Sequence, residues 1–148
     1  MKRYFEKSKK LGNVCYEIRG ALAAEADRMH RRGEDVLRLN IGNPAPFGFR
    51  ASEELNRTMK LGLENSEGYS DSKGLVAARE AIVAYCRQKG IENVDIDDVY
   101  TGNGASELIT MSMNALLNNG DEVLVPAPDY PLWTASVALA GGRAVHYI

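Results

Sequence analysis

Pro126, Pro128 and Pro131 put three prolines into six residues in the run 125–133, VPAPDYPLW. The run stands between a strand signal at 122–125 and a helical one at 132–140. Proline lacks an N–H and fixes its own φ, so neither regular element can continue through it. The chain therefore leaves a sheet through a stiff, shaped corner that carries Tyr130 and Trp133. In open α/β sheets, ligands bind just outside the carboxyl ends of strands. An aromatic side chain held there can stack on a flat ring. The plainer reading is a proline-rich turn whose aromatics simply pack, and the local pattern leaves both open.

The same alternation of signals runs along the whole chain. Residues 1–20 read as an irregular basic arm. Leu22, Ala26 and Met29 have helical spacing over 21–32, and Gly33 is placed to stop that helix. A short strand is expected at 36–39, then a loop at 42–49, GNPAPFGF. Ser52 is a candidate cap for a helix over 53–63, with Glu53 and Glu54 in its first turn. Residues 64–73 are polar and turn-rich. Leu75, Ala78, Ile82 and Tyr85 mark a helix over 75–89 that Gly90 closes. A strand at 98–101, a turn at 102–104 and a helix over 108–117 follow. Strands at 122–125 and 144–148, joined by the helix at 132–140, complete the pattern. The fold class is α/β, with a parallel, doubly wound sheet. About three strands lie near the lower limit for a stable sheet, and the last signal runs to Ile148. The expectation is a truncated piece of a longer chain.

Composition narrows the function classes. The 148 residues are 45% hydrophobic and 26% charged, which is globular rather than disordered. The formal net charge of −2 gives no basic field for nucleic acid or an anionic membrane. Cys15 and Cys86 have no metal-binding spacing, and His30 and His146 stand apart, so no metal site is expected. Two isolated cysteines and no secretory leader or membrane span suggest a reducing, cytoplasmic setting.

Three further turns have chemical potential. At 101–108, TGNGASEL, glycines 102 and 104 allow close backbone approach, and Ser106 adds a hydroxyl at a helix start. Free N–H groups and the positive dipole end there favour a phosphate. The alternative is an ordinary strand–helix turn with Ser106 as cap. It is neither a dinucleotide fingerprint nor a P-loop. At 39–44, LNIGNP, Gly42 can offer its N–H to a carboxylate or form a plain turn. At 68–74, GYSDSKG, a polar loop exposes Tyr69. No nucleophile–base pair is evident: Ser106 has no obvious histidine partner.

Taken in order, the GNP corner, GYSDSKGLVAAR, TGNGASEL and VPAPDYPLW resemble the fold-type I, class I aminotransferases that depend on pyridoxal phosphate. NVCYEIRG and LNIGNPAPFGF are similar to the alanine-transaminase branch of that family. The resemblance covers essentially all 148 residues. It implies an N-terminal arm and part of a small domain at 1–48, and the first, incomplete part of a cofactor-binding large domain at 49–148. Gly104, Ala105 and Ser106 match the turn that holds the cofactor phosphate. Tyr130 matches the aromatic that stacks on the pyridine ring, and Trp133 the pocket wall. Tyr69 matches the tyrosine that reaches a partner subunit's cofactor phosphate. Gly42 matches the contact to the substrate α-carboxylate, and Tyr16 and Arg19 fold over the substrate.

The resemblance also implies what these residues do not supply. The lysines stand at 2, 7, 9, 10, 60, 73 and 89, and none lies in the family's lysine motif. No catalytic residue is therefore assigned, and the piece is expected to be inactive alone. The parent is expected to be a cytoplasmic homodimer that moves an amino group between alanine or glutamate and pyruvate or 2-oxoglutarate. In the family's sheet, later strands separate the one near Val99 from the pair near Val123 and Val145. The strand near Leu37 would also lack its partners, and apolar surface would be exposed. The competing reading is a non-catalytic phosphate-ligand-binding or interaction module, and a remnant of a broken gene is a third.

Overall fold

The computed structural model describes residues 5–14, 20–39 and 41–148. Tyr16 and Arg19, two of the expected substrate contacts, lie outside the described residues. The chain forms two compact units, Met1–Val36 with Gly102–Ile148, and Leu37–Thr101.

The first unit contains helix α1, Gly20–Arg31. Its end is set by Gly33 at φ 83°, where Gly33 N–H donates to His30 O and Glu34 N–H to Met29 O. This double bond pattern needs a left-handed residue, which glycine adopts without a Cβ penalty. The unit continues with helix α4, Ala105–Leu116, then strand β1, Glu122–Pro126, helix α5, Leu132–Leu139, and strand β2, Arg143–Tyr147. β1 and β2 are parallel, with Val125 opposite His146 and Glu122 opposite Arg143. Arg143 pairs with Glu122 across the ladder. Ala127 N–H donates to Tyr147 O at 2.8 Å, carrying the pairing one residue past β1.

Helix α5 is the core element of this unit. Ala135, Ser136 and Val137 are buried, with Val125 of β1. Leu124, on the opposite face of β1, is 72% exposed. A parallel strand is normally covered on both faces, so only one side of this β–α–β step is closed among the described residues. Thr110 Oγ1 of α4 lies 3.4 Å from Ser136 Oγ of α5. Val137→Ala removes two methyl groups from a fully enclosed position and is expected to cost about 2 kcal/mol. Leu139→Ala, at a position 38% exposed, should cost less. Urea denaturation of the two variants tests the ranking.

The second unit contains α2, Glu53–Gly62, and α3, Val76–Gln88. Ser52 caps α2 as expected, its Oγ accepting from Leu55 N–H at 3.2 Å. Gly90 closes α3, with Gly90 N–H on Arg87 O and Ile91 N–H on Cys86 O. Two expected strands do not form. Residues 36–39 are without regular structure, and Leu37 and Leu39 are exposed. Residues 96–98 make a 3-10 turn capped by Asp95, and 99–101 are irregular. A strand needs a partner for its N–H and C=O groups, and neither segment has a ladder among the described residues. The buried face of α3 also differs from the expected one. Arg79 and Val83 are buried, whereas Leu75 and Tyr85 are exposed.

Candidate active-site turns

The turn before α4 is shaped by two glycines. Gly104 has φ 84° and ψ 164°, a backbone conformation outside the range of other residues, and it is the N-cap of α4. At Gly102 a Cβ would lie 2.8 Å from Leu108 Cδ2, so a larger residue would require the Leu108 side chain to shift. Glu107 folds back and accepts the Asn103 N–H. No side chain caps α4. The first amides of α4, at Ala105, Ser106 and Glu107, have no intrahelical acceptor, and Ala105 and Ser106 are exposed. Aligned free N–H groups plus the dipole make a ready anion site.

The proline corner lies in the same unit. Tyr130 and Trp133 are 45% and 38% exposed, so each keeps open ring surface. Tyr130 O accepts from Trp133 N–H at 3.1 Å, and Pro131 O accepts from Ala135 N–H at 3.0 Å. These bonds turn the corner directly into α5. The Ala127–Pro128 peptide is cis. Asp129 Oδ2 is shielded from solvent, with no hydrogen-bond partner among the described residues. Ala105 and Leu132 begin about 7.5 and 6 Å along their helix axes from the Thr110–Ser136 contact, from the 1.5 Å rise per residue. The turn before α4 and the aromatic corner belong to one compact unit.

Gly42 and Tyr69 belong to the Leu37–Thr101 unit. A Cβ at Gly42 would meet no atom of the described residues within 4 Å, so these surroundings leave room for a ligand but do not demand glycine. Tyr69 is fully exposed. The structure also marks residues that the sequence patterns passed over. Gly102 was read for close backbone approach but not for the contact with Leu108, and Arg79 was not among the residues taken to mark the buried face of its helix.

The sequence profile described as "Aminotransferase class I and II" matches residues 34–148. The chain belongs to this aminotransferase family. Its sequence is 60% identical over 146 residues to the glutamate-pyruvate aminotransferase AlaA of Haemophilus influenzae, covering 99% of this chain and 36% of that protein. It is 54% identical over 147 residues to the alanine aminotransferase of Mycobacterium bovis, covering 99% of this chain and 34% of the relative. Among solved structures, an aminotransferase from Escherichia coli superposes with a TM-score of 0.87 at 56% identity, over 98% of this chain and 36% of that one. The chain thus spans about a third of the length of the curated relatives it matches. The α/β architecture of this aminotransferase chain is that of the first third of a fold-type I enzyme. Among its described residues, no helix is long and apolar enough to cross a membrane.

Proposed function

We propose that this chain supplies one part of a pyridoxal-phosphate cradle in an enzyme that moves an amino group between alanine or glutamate and a 2-oxo acid. The observation that carries the reading is the uncapped, doubly glycine-shaped start of α4 in the same unit as the aromatic corner. Ala105 and Ser106 donate to the cofactor phosphate, and Gly104 gives the backbone its approach. Tyr130 stacks on the ring, and Trp133 walls the pocket. Gly42 receives the substrate carboxylate, with Tyr16 and Arg19 closing over it. Tyr69 reaches the phosphate in the partner subunit of a homodimer. Residues 1–48 belong to the arm and small domain, and 49–148 to the large domain. When bound, the cofactor acts as an electron sink for the amino-acid carbon. These 148 residues hold and orient it but offer no lysine in the family motif, so they are inactive by themselves.

Trp133 is the chain's one tryptophan, which makes it a built-in reporter. Titration with pyridoxal phosphate should quench its emission saturably, and inorganic phosphate should compete. Tyr130→Ala should weaken binding about tenfold, the equivalent of roughly 1.4 kcal/mol of lost stacking and contact area. A linear, non-competed quench would count against the cradle. Saturable binding in the complete protein with no transamination of alanine or glutamate would instead favour a passive phosphate-binding module.

A further inference from the structure

Tyr69 is fully exposed, so its direction is decided by the loop that carries it. That loop is restrained from two sides. Asp71 Oδ1 accepts the Lys73 N–H at 2.8 Å, and Gly74 N–H donates to Asp71 O at 2.9 Å. The same Asp71 Oδ1 lies 3.8 Å from Arg79 Nη1 on α3. Lys73 Nζ reaches the other way, donating to Asp97 O at 2.9 Å and lying 3.3 Å from Asp97 Oδ1. It also sits 5.2 Å from the centre of the Tyr100 ring. Lys73 O accepts from Thr101 N–H at 2.9 Å and from Thr101 Oγ1 at 3.3 Å.

Arg79 is the unusual member. Its side chain is 7% exposed beside an Asp71 that is 50% exposed, and its Nε–H has no partner among the described residues. A buried guanidinium with an unsatisfied N–H is a poor way to stabilise a helix face, where a leucine next to Val83 would pack without a desolvation cost. Nor is the pair bidentate, the geometry that gives arginine its strongest carboxylate contacts. What the charge does accomplish is to draw Asp71, and with it the turn, towards α3. We propose that Arg79, acting through Asp71, and Lys73, acting through Asp97 and Tyr100, are positioning residues that clamp the 68–74 loop and aim Tyr69. The aim, though not the clamp, rests on the cofactor-phosphate role given to Tyr69 above.

The test uses the protein expressed from its own gene. Amide hydrogen exchange at Lys73 and Gly74 should speed up about tenfold in Arg79→Met and by a smaller factor in Asp71→Asn, with Val83 and Val125 unchanged. Arg79→Lys should retain most of the protection, because the attraction is between charges rather than through a fork. Unchanged loop exchange in both Arg79→Met and Asp71→Asn overturns the clamp, as does an Arg79→Lys variant as fast as Arg79→Met. If Arg79→Met also deprotects α3, the half-exposed Asp71→Asn variant decides alone. For the aim, Arg79→Met should raise the dissociation constant of pyridoxal phosphate about three- to tenfold. In a Tyr69→Ala background it should add nothing; an equal added loss there means that Arg79 does not act through Tyr69. Absence of any cofactor binding removes the proposed function while leaving the exchange result to judge the clamp.

Discussion

Gly74→Ala is expected to destabilise the Leu37–Thr101 unit by about 3–5 kcal/mol, enough to populate its unfolded state in a unit of ordinary stability. Two independent costs add. Gly74 has φ 104°, beyond the left-handed well that asparagine or aspartate can visit, so any Cβ strains the backbone. The same Cβ would also overlap Thr101 Oγ1 and lie 2.9 Å from Thr101 Cβ. Thr101 cannot swing away freely, because its N–H and its hydroxyl both hold Lys73 O. Thr101→Ala should relieve the closest overlap while leaving the φ cost and the Cβ contact. The double variant should therefore be at least about 1 kcal/mol more stable than the sum of the single changes predicts. Thermal denaturation of the four proteins measures this coupling. Strict additivity would mean that the alanine escapes by moving the backbone, and the tight Gly74–Thr101 approach would be wrong.

The sequence patterns found most elements of this chain because their ends carry local chemistry. Gly33 and Gly90 terminate helices with backbone bonds that neighbouring residues complete, and Ser52 caps α2 from its own side chain. The β1–α5–β2 step was legible because its apolar runs match strand and helix lengths and its prolines mark the corner. The strands expected at 36–39 and 98–101 failed for a non-local reason. Their residues suit a sheet, but a strand is made by its partner, and none of the described residues forms a ladder with them. The buried face of α3 failed for a related one. Apolar spacing pointed to Leu75 and Tyr85, whereas Asp71 and the turn at Ile96–Asp98 draw in Arg79 and Val83. Periodicity reads hydrophobicity and cannot see an arginine held inside by a carboxylate from a preceding loop. At the candidate site, the turn proposed to hold an anion was visible as glycines before a helix. The steric demand at Gly102, set by Leu108 six residues later, became visible only with the helix in place.

Ser106→Asp should act on stability and on binding in opposite directions. Ser106 is the second residue of α4 and is exposed, and a carboxylate in the first turn of a helix with no side-chain cap is favourable by about 0.3–1 kcal/mol. The apo protein should therefore melt no lower than the parent. A phosphate monoester carries close to two negative charges at neutral pH. At about 4 Å, each unit of like charge opposes binding by roughly 4 kcal/mol at an effective dielectric of 20. Pyridoxal phosphate should thus bind more than about 100-fold more weakly, with inorganic phosphate weakened in parallel. Ser106→Ala provides the scale. It removes one hydrogen bond to a charged acceptor, worth about 1.5–3 kcal/mol, so its loss should be smaller than that of the aspartate. Trp133 emission reads both affinities, and calorimetry of the unliganded proteins reads the stability. A Ser106→Asp protein that binds pyridoxal phosphate like the parent would place the phosphate away from α4. One that loses binding only because it has unfolded would show that the dipole argument fails at this helix.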